Sequence, residues 1–244
     1  MSEKIIQPWH RVGHRGAPRE YPANTMRSFQ RARELGCTMV ECDIRLSIDA
    51  QLVLAHDEYV KDAQGNVYVI QETEASVLAS LDLGAGEGVP ILEQLVEWCN
   101  ESGCAIMADM KCGGGDTELR VAAALAILPP GLKVVPGASF ESRQRFRAAD
   151  PELPLSLSLD AGEGDKLNLS FDNVRLLDAI DTEAVTWQHP LLNFPIVDAL
   201  KARGLAVFAW TVDDMEVAKK LLAFGVDGII SNCAAELTQI GREA

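Results

Sequence analysis

The sequence predicts an α/β protein built as a (β/α)8 TIM barrel. Three observations carry that expectation. Eight short, β-rich apolar runs alternate with stretches of helical periodicity, glycines fall where those helices must end, and 244 residues suit one barrel. An open doubly wound sheet is the competing arrangement of the same units. The chain reads as one domain over residues 1–244, because no linker-like or low-complexity stretch divides it.

Arg11–His14 leads into a helix over Asn24–Leu35, and Met39–Ile44 is followed, after an irregular region, by a helix over Leu92–Glu101. Ala105–Asp109 precedes Thr117–Leu128, Lys133–Ser139 precedes Glu141–Ala149, and Leu155–Leu159 precedes Phe171–Ala179. Ala184–Gln188, Ala206–Thr211 and Val226–Ser231 pair with helices over Phe194–Ala202, Asp214–Ala223 and Ala234–Ile240. Gly36, Gly103, Gly204 and Gly225 stand just past helical stretches, where a left-handed cap is wanted. Asn24, Thr117 and Asp213 or Asp214 stand where N-caps belong, since their side-chain oxygens can accept from free backbone N–H groups. The irregular region, residues 57–89, contains a weak strand at Val67–Ile70 and a Gly84-x-Gly86-x-Gly88 run, and reads as a small cap or insertion. That glycine run follows a helical pattern and leads to Pro90, so it is not a dinucleotide fingerprint.

Composition narrows the function. With 48% hydrophobic and 24% charged residues the chain can bury a full core, which excludes disorder. A net charge of −14 disfavours nucleic acid and anionic membranes as partners and favours a small-molecule substrate. No segment has the length of apolar residues that a signal peptide or membrane span needs, so a cytoplasmic protein without stable membrane insertion is expected. The six cysteines form no C-x-x-C pair and several lie in apolar segments; they read as reduced and structural.

In a barrel, reactive side chains collect at the carboxyl ends of strands. His14-Arg15, Glu41-Cys42-Asp43, His56-Asp57, Asp109-Met110-Lys111 and Trp210-Thr211 all fall at such ends. Taken singly, a carboxylate there is usually a solvated cap, a histidine a packing residue, and an arginine or lysine a surface charge. Their joint arrival is what points to chemistry. Glu41 and Asp43, at i and i+2, face the same side of a strand, and Asp109 comes from its neighbour. Three carboxylates that close repel one another unless a cation sits among them, and an all-oxygen donor set suits Mg²⁺ or Ca²⁺ before zinc. Arg15 and Lys111 suit phosphate oxygens, and His14 and His56 suit proton transfer. Metal-assisted cleavage of a phosphate ester is the implied reaction. Trp210, Trp187 and Phe140 are candidates for a pocket wall, with core packing as the default. His10 and His189 have no partner set, and Gly113-Gly114-Gly115 reads as a flexible loop rather than an anion nest.

The residues resemble a known family. Val12-Gly-His-Arg-Gly-Ala17, Pro22-Ala-Asn-Thr25, Glu41-Cys-Asp43 and Val53-Leu-Ala-His56-Asp57 match the opening of the glycerophosphodiester phosphodiesterases. Pro90-Ile-Leu-Glu93, Asp109-Met-Lys111, Ser139-Phe140, Ala209-Trp-Thr211 and Gly225-Val-Asp-Gly-Ile-Ile-Ser231 extend the match over almost the whole chain. The resemblance implies a phospholipase-C-like barrel, a phosphoric diester hydrolase of lipid and glycerol metabolism. Such an enzyme uses a divalent cation to hydrolyse glycerophosphodiesters to glycerol 3-phosphate and an alcohol. It implies His14 and His56 as the acid and base, in either assignment, and Arg15 as a phosphate contact. Glu41 and Asp43 would be metal ligands, Lys111 would hold the phosphate or glycerol side, and Trp210 would line the pocket. Two positions depart from the family pattern: Ala23 replaces a glutamate expected near the site, and Asp109 replaces a glutamate, shortening that side chain by about 1.5 Å. The competing functions are hydrolysis of lysophospholipids or other alkyl phosphodiesters, which needs an apolar groove from residues 57–89, and a non-catalytic barrel that binds phosphate or metal.

Overall fold

The computed structural model describes residues 9–137, 139–160 and 180–240. β1 (His10–His14) is followed by helix α1 (Met26–Leu35) and by β2 (Met39–Leu46), which lies parallel to β1. β3 (Leu52–Leu54) turns back antiparallel to β2. A hairpin of β4 (Tyr59–Lys61) and β5 (Val67–Val69) and the short helix α2 (Ala75–Ser80) come next. The alternation then resumes with α3 (Leu92–Ser102), β6 (Ala105–Met110), α4 (Thr117–Leu125), β7 (Lys133–Val134), α5 (Phe140–Ala149) and β8 (Ser156–Leu159). It ends with β9 (Ala184–Gln188), α6 (Phe194–Ala202), β10 (Ala206–Trp210), α7 (Met215–Phe224), β11 (Gly228–Ser231) and α8 (Ala234–Leu237). The helix expected over Phe171–Ala179 lies outside the described residues.

The parallel strands run in the order β7-β6-β2-β1-β11-β10-β9-β8, and a parallel bridge between Val135 and Leu155 joins the two ends. The result is a nearly closed barrel of eight parallel strands rather than an open doubly wound sheet. Its fourth strand is shorter than the expected Lys133–Ser139. Pro136 has no N–H to continue the ladder, and Gly137 follows with a φ of 73°.

Side-chain alternation explains both the core and the position of the polar residues. Val12, Met39, Ala105, Met107, Val134, Phe208 and Ile230 point into the barrel and form an apolar plug. Two residues further along their strands, on the same inward face, stand His14, Glu41 and Asp109. The intervening Val40, Cys42, Ile44, Ile106 and Ala108 point outward and pack under the helices. Full burial of each large apolar side chain stabilises the fold by about 1.5–3 kcal/mol, so the plug is a rigid floor beneath the polar layer. Residues 53–89 hold a small apolar cluster of their own around Val53, Ile70, Leu78 and Val89.

The caps follow the sequence with two exceptions. Gly36, Gly103 and Gly225 adopt the left-handed C-cap, and Asp214 caps α7 by accepting from the N–H groups of Glu216 and Val217. Gly204, at φ 77°, stands one residue past the Arg203 C-cap of α6. At α1 the cap is Thr25, not Asn24, and α4 is capped at Asp116 rather than Thr117. All six cysteines are free, and burial pushes the Cys37 and Cys104 thiols up to about 12. Among the described residues no helix is long and apolar enough to cross a membrane.

Candidate active site

One cavity of about 840 Å³ opens at the carboxyl ends of the barrel strands. His14, Arg15, Glu41, Asp43, His56, Asp109, Lys111 and Trp210 all line it, with Met107 and Ile230 as its floor. Strand register does the assembling. β1 pairs with β2 so that His14 stands opposite Glu41, and β2 pairs with β6 so that Asp43 stands opposite Asp109. The carboxylates of Glu41, Asp43 and Asp109 each offer an oxygen within 4.8 Å of the others.

The cluster is charged and nearly dry: Asp43 is 0% and Glu41 5% exposed. Lys111 Nζ lies 2.6 Å from Asp109 Oδ2 and 3.1 Å from Asp43 Oδ1, and Arg15 Nε lies 2.9 Å from Asp43 Oδ2. Burial and the neighbouring Asp43 and Asp109 push the Glu41 carboxyl well above its usual range. Burial also raises Asp109 against the opposing pull of Lys111. At Asp43 burial acts upward too, but Lys111, Arg15 and the hydrogen bond from Asn24 outweigh it and hold this carboxyl low. Two carboxyls held up mainly by burial, beside one held ionised, are a donor set that gains from a further positive charge. The oxygen-only chemistry fits a divalent cation of the Mg²⁺ or Ca²⁺ type.

The two histidines differ. Burial, then the Arg15 charge, lowers the His14 pKa to about 4, against the opposing effects of Asn232, Asp43 and Asp213. His14 is therefore neutral at neutral pH, and its Nε2 lies 3.9 Å from Glu41 Oε2. His56 is more open, at 42% side-chain exposure. Its Nδ1 lies 2.7 Å from Asp57 Oδ1, and Arg45 Nε donates to its carbonyl oxygen at 2.8 Å. Burial and the guanidinium beside it favour a neutral imidazole at His14.

Several placements differ from expectation. Ala23 is exposed and lines no part of the cavity. Its neighbour Asn24 is the residue that reaches the cluster. At φ 60° its side chain turns inward, donates through Nδ2 to Asp43 Oδ2 at 2.8 Å and accepts from the Asp43 N–H at 3.2 Å. Asn is among the few non-glycine residues that tolerate this backbone region, and an Asn-Thr pair ahead of a helix was the only sequence cue to it. Trp187 is buried in the outer core, while Phe140, 69% exposed, stands at the cavity rim. Trp210 is fixed by its Nε1 donating to the Thr186 carbonyl at 2.9 Å. The Gly114 N–H is used by Glu118 at 3.2 Å, so that loop is a tethered turn. Asn232, whose Oδ1 lies 2.7 Å from His14 Nδ1, was not foreseen either.

The glycerophosphoryl diester phosphodiesterase family matches residues 14–235. A glycerophosphodiester phosphodiesterase of Caldanaerobacter subterraneus is 25% identical, aligning 95% of this chain with 97% of its own. Among solved structures, a phosphodiesterase from Oleispira antarctica in complex with the product sn-glycerol-3-phosphate superposes with a TM-score of 0.80 at 24% identity, over 94% of this chain and 95% of that one. The glycerophosphodiester phosphodiesterase of Thermotoga maritima superposes with a TM-score of 0.77 at 21% identity, over 96% and 99% of the two chains. The family match spans the strand ends that line the cavity, from His14 to the end of the barrel, and the chain belongs to the glycerophosphoryl diester phosphodiesterase family, whose members are phosphoric diester hydrolases.

Proposed function

We propose that the protein hydrolyses glycerophosphodiesters to glycerol 3-phosphate and an alcohol, with His14 and His56 moving the protons and a divalent cation held by Glu41, Asp43 and Asp109. The observation that carries this reading is the shared cavity, in which the two imidazoles, the Arg15 guanidinium and the Lys111 ammonium line the same space as one carboxylate cluster. When bound there, the cation supplies Lewis-acid charge for a phosphoryl oxygen. Arg15 and Lys111 bind and orient the remaining phosphate oxygens through charge-assisted hydrogen bonds. His14, neutral and partly buried, accepts the proton of the attacking oxygen at Nε2. His56, held by Asp57, gives a proton to the departing alcohol oxygen. The Oleispira antarctica enzyme's complex with sn-glycerol-3-phosphate supports the product assignment.

One observation favours an extension to lysophospholipids or other alkyl phosphodiesters. Part of the cavity lining is apolar, from Met110, Pro136, Phe140, Leu157 and Leu159. It does not come from residues 57–89, none of which appears among the cavity-lining residues. A human lysophospholipase D is 22% identical, aligning 93% of this chain with 84% of its own.

The test is release of glycerol 3-phosphate from sn-glycero-3-phosphocholine, and of the head-group alcohol with acyl-glycerol 3-phosphate from a lysophospholipid, with Mg²⁺ or Ca²⁺. His14→Ala and His56→Ala are each expected to lose about 10²–10⁴-fold in kcat, the usual share of general acid–base catalysis. Wild-type turnover in either variant, or no turnover by the wild type with any divalent ion, overturns the proposal.

A further inference from the structure

Resting on the reading of His14 as proton acceptor, we infer that Asp213 and Asn232 are positioning residues that lock the His14 imidazole in the tautomer with hydrogen on Nδ1 and a free lone pair on Nε2. Sheet register builds the arrangement. β11 lies parallel to β1 with Ser231 opposite Gly13, so the next residue, Asn232, stands beside His14. The loop between β10 and α7 is pinned to β11 by the Val212 N–H donating to the Ile230 carbonyl at 2.9 Å, which brings Asp213 to Asn232.

The hydrogen-bond polarity follows from the donors and acceptors. Asp213 Oδ1 accepts from Ser231 Oγ at 3.0 Å and from the Asn232 N–H at 2.8 Å, leaving Oδ2 to face the Asn232 side chain at 2.8 Å. A carboxylate only accepts, so the Asn232 atom facing it is Nδ2 and the atom facing His14 is Oδ1. That oxygen, 2.7 Å from Nδ1, is satisfied only by an N–H. Nε2 of the neutral ring is then left as the proton-accepting nitrogen, on the side where Glu41 Oε2 lies. An Asn amide is nearly symmetric in shape. Without a fixed acceptor at Asp213 it can turn over, present its NH₂ to Nδ1, and stabilise the opposite tautomer, whose Nε2 already carries a hydrogen.

The contacts make the substitution Asp213→Asn directional. Its side-chain oxygen keeps the two Oδ1 contacts, its NH₂ takes the Oδ2 position, and Asn232 must invert to accept from it. The paired exchange Asp213→Asn with Asn232→Asp restores an acceptor toward both neighbours and with it the original tautomer. The readout is ¹⁵N NMR of the imidazoles in histidine-labelled protein, which contains four histidines, with the His14 resonances identified by their loss in His14→Gln.

The wild type is expected to show hydrogen on Nδ1 of His14, Asp213→Asn to move it to Nε2, and the paired exchange to move it back. Asn232→Ala, which has no amide to invert, is expected to show both tautomers. In parallel, kcat is expected to fall about 10–100-fold in Asp213→Asn, the usual cost of losing an outer partner of a working side chain, and to recover in the paired exchange with KM little changed. A His14 that keeps hydrogen on Nδ1 in both Asp213→Asn and Asn232→Ala overturns the inference, as does a paired exchange that fails to restore it. The tautomer is read without substrate, so these outcomes stand apart from failure of the phosphodiesterase reading.

Discussion

Gly137 offers the sharpest perturbation of the carboxylate cluster, because its backbone lies against Asp109. A Cβ at Gly137 would lie 2.0 Å from Asp109 Oδ1 and 3.2 Å from Asp109 Cγ. Ordinary contact between such atoms is about 3.5 Å, so in Gly137→Ala the carboxylate oxygen must retreat by at least about 1 Å. A bound divalent ion tolerates displacements of only about 0.2 Å in its ligand distances, so the retreat takes Asp109 out of range. The left-handed φ of 73° adds about 1–2 kcal/mol for any L-residue, which lowers Tm by about 2–8 °C in a domain of this size. Calorimetric titration of Mg²⁺ and Ca²⁺ should show affinity weakened by at least about tenfold. In an Asp109→Ala background the clash is gone, so the same glycine substitution should cost Tm without a further loss of affinity. Unchanged affinity in Gly137→Ala, or an equal loss in both backgrounds, would refute the placement of Asp109 beside the ion.

Other consequences follow from the same contacts. Burial and Arg15 hold His14 unprotonated down to about pH 4, so kcat/KM should not fall on acidification through about pH 6.5; an acid limb at the ordinary imidazole pKa of about 6.5 would contradict this. Asn24→Gly keeps the φ of 60° accessible while removing both hydrogen bonds to Asp43, so it should weaken ion binding by about tenfold in the same titration, and wild-type affinity would deny Asn24 a role. Phe140→Ala should raise KM for a lysophospholipid more than for sn-glycero-3-phosphocholine; equal changes would remove the apolar wall from substrate selection. Asn193→Ala removes the side chain that caps α6 and lines no part of the cavity, and should cost about 1 kcal/mol of stability with kcat unchanged.

The barrel was legible because its strands alternate strictly: Val12 and His14, Met39, Glu41 and Asp43, and Met107 and Asp109 share inward faces that the spacing alone reveals. The carboxylate cluster was legible for the same reason, since β2 and β6 are neighbours in a barrel of alternating units. What stayed hidden depended on backbone angles and register. Asn24 and Thr25 are both good cap residues, and only the left-handed turn at Asn24 decides which caps the helix and which reaches Asp43. Asp213 and Asn232 meet through the seating of one loop on β11, a contact across strands that no local pattern carries. The early end of β7 follows from the missing N–H of Pro136, which hydrophobic patterning overlooks. Residues 57–89, with Lys61, Asp62, Gln64 and Asn66, do not offer the apolar groove that a lysophospholipid needs, and the apolar lining arises where β7 and β8 end.

The central claim is that Glu41, Asp43 and Asp109 hold one divalent ion beside the two imidazoles. Titration of Mg²⁺ and Ca²⁺ into chelator-treated protein, with turnover followed on the same samples, tests it most directly. The account predicts one site per chain, lost in Asp43→Asn, and activity that disappears on chelation and returns as that site fills. Full turnover in excess chelator, or ion binding undiminished in Asp43→Asn, would contradict it.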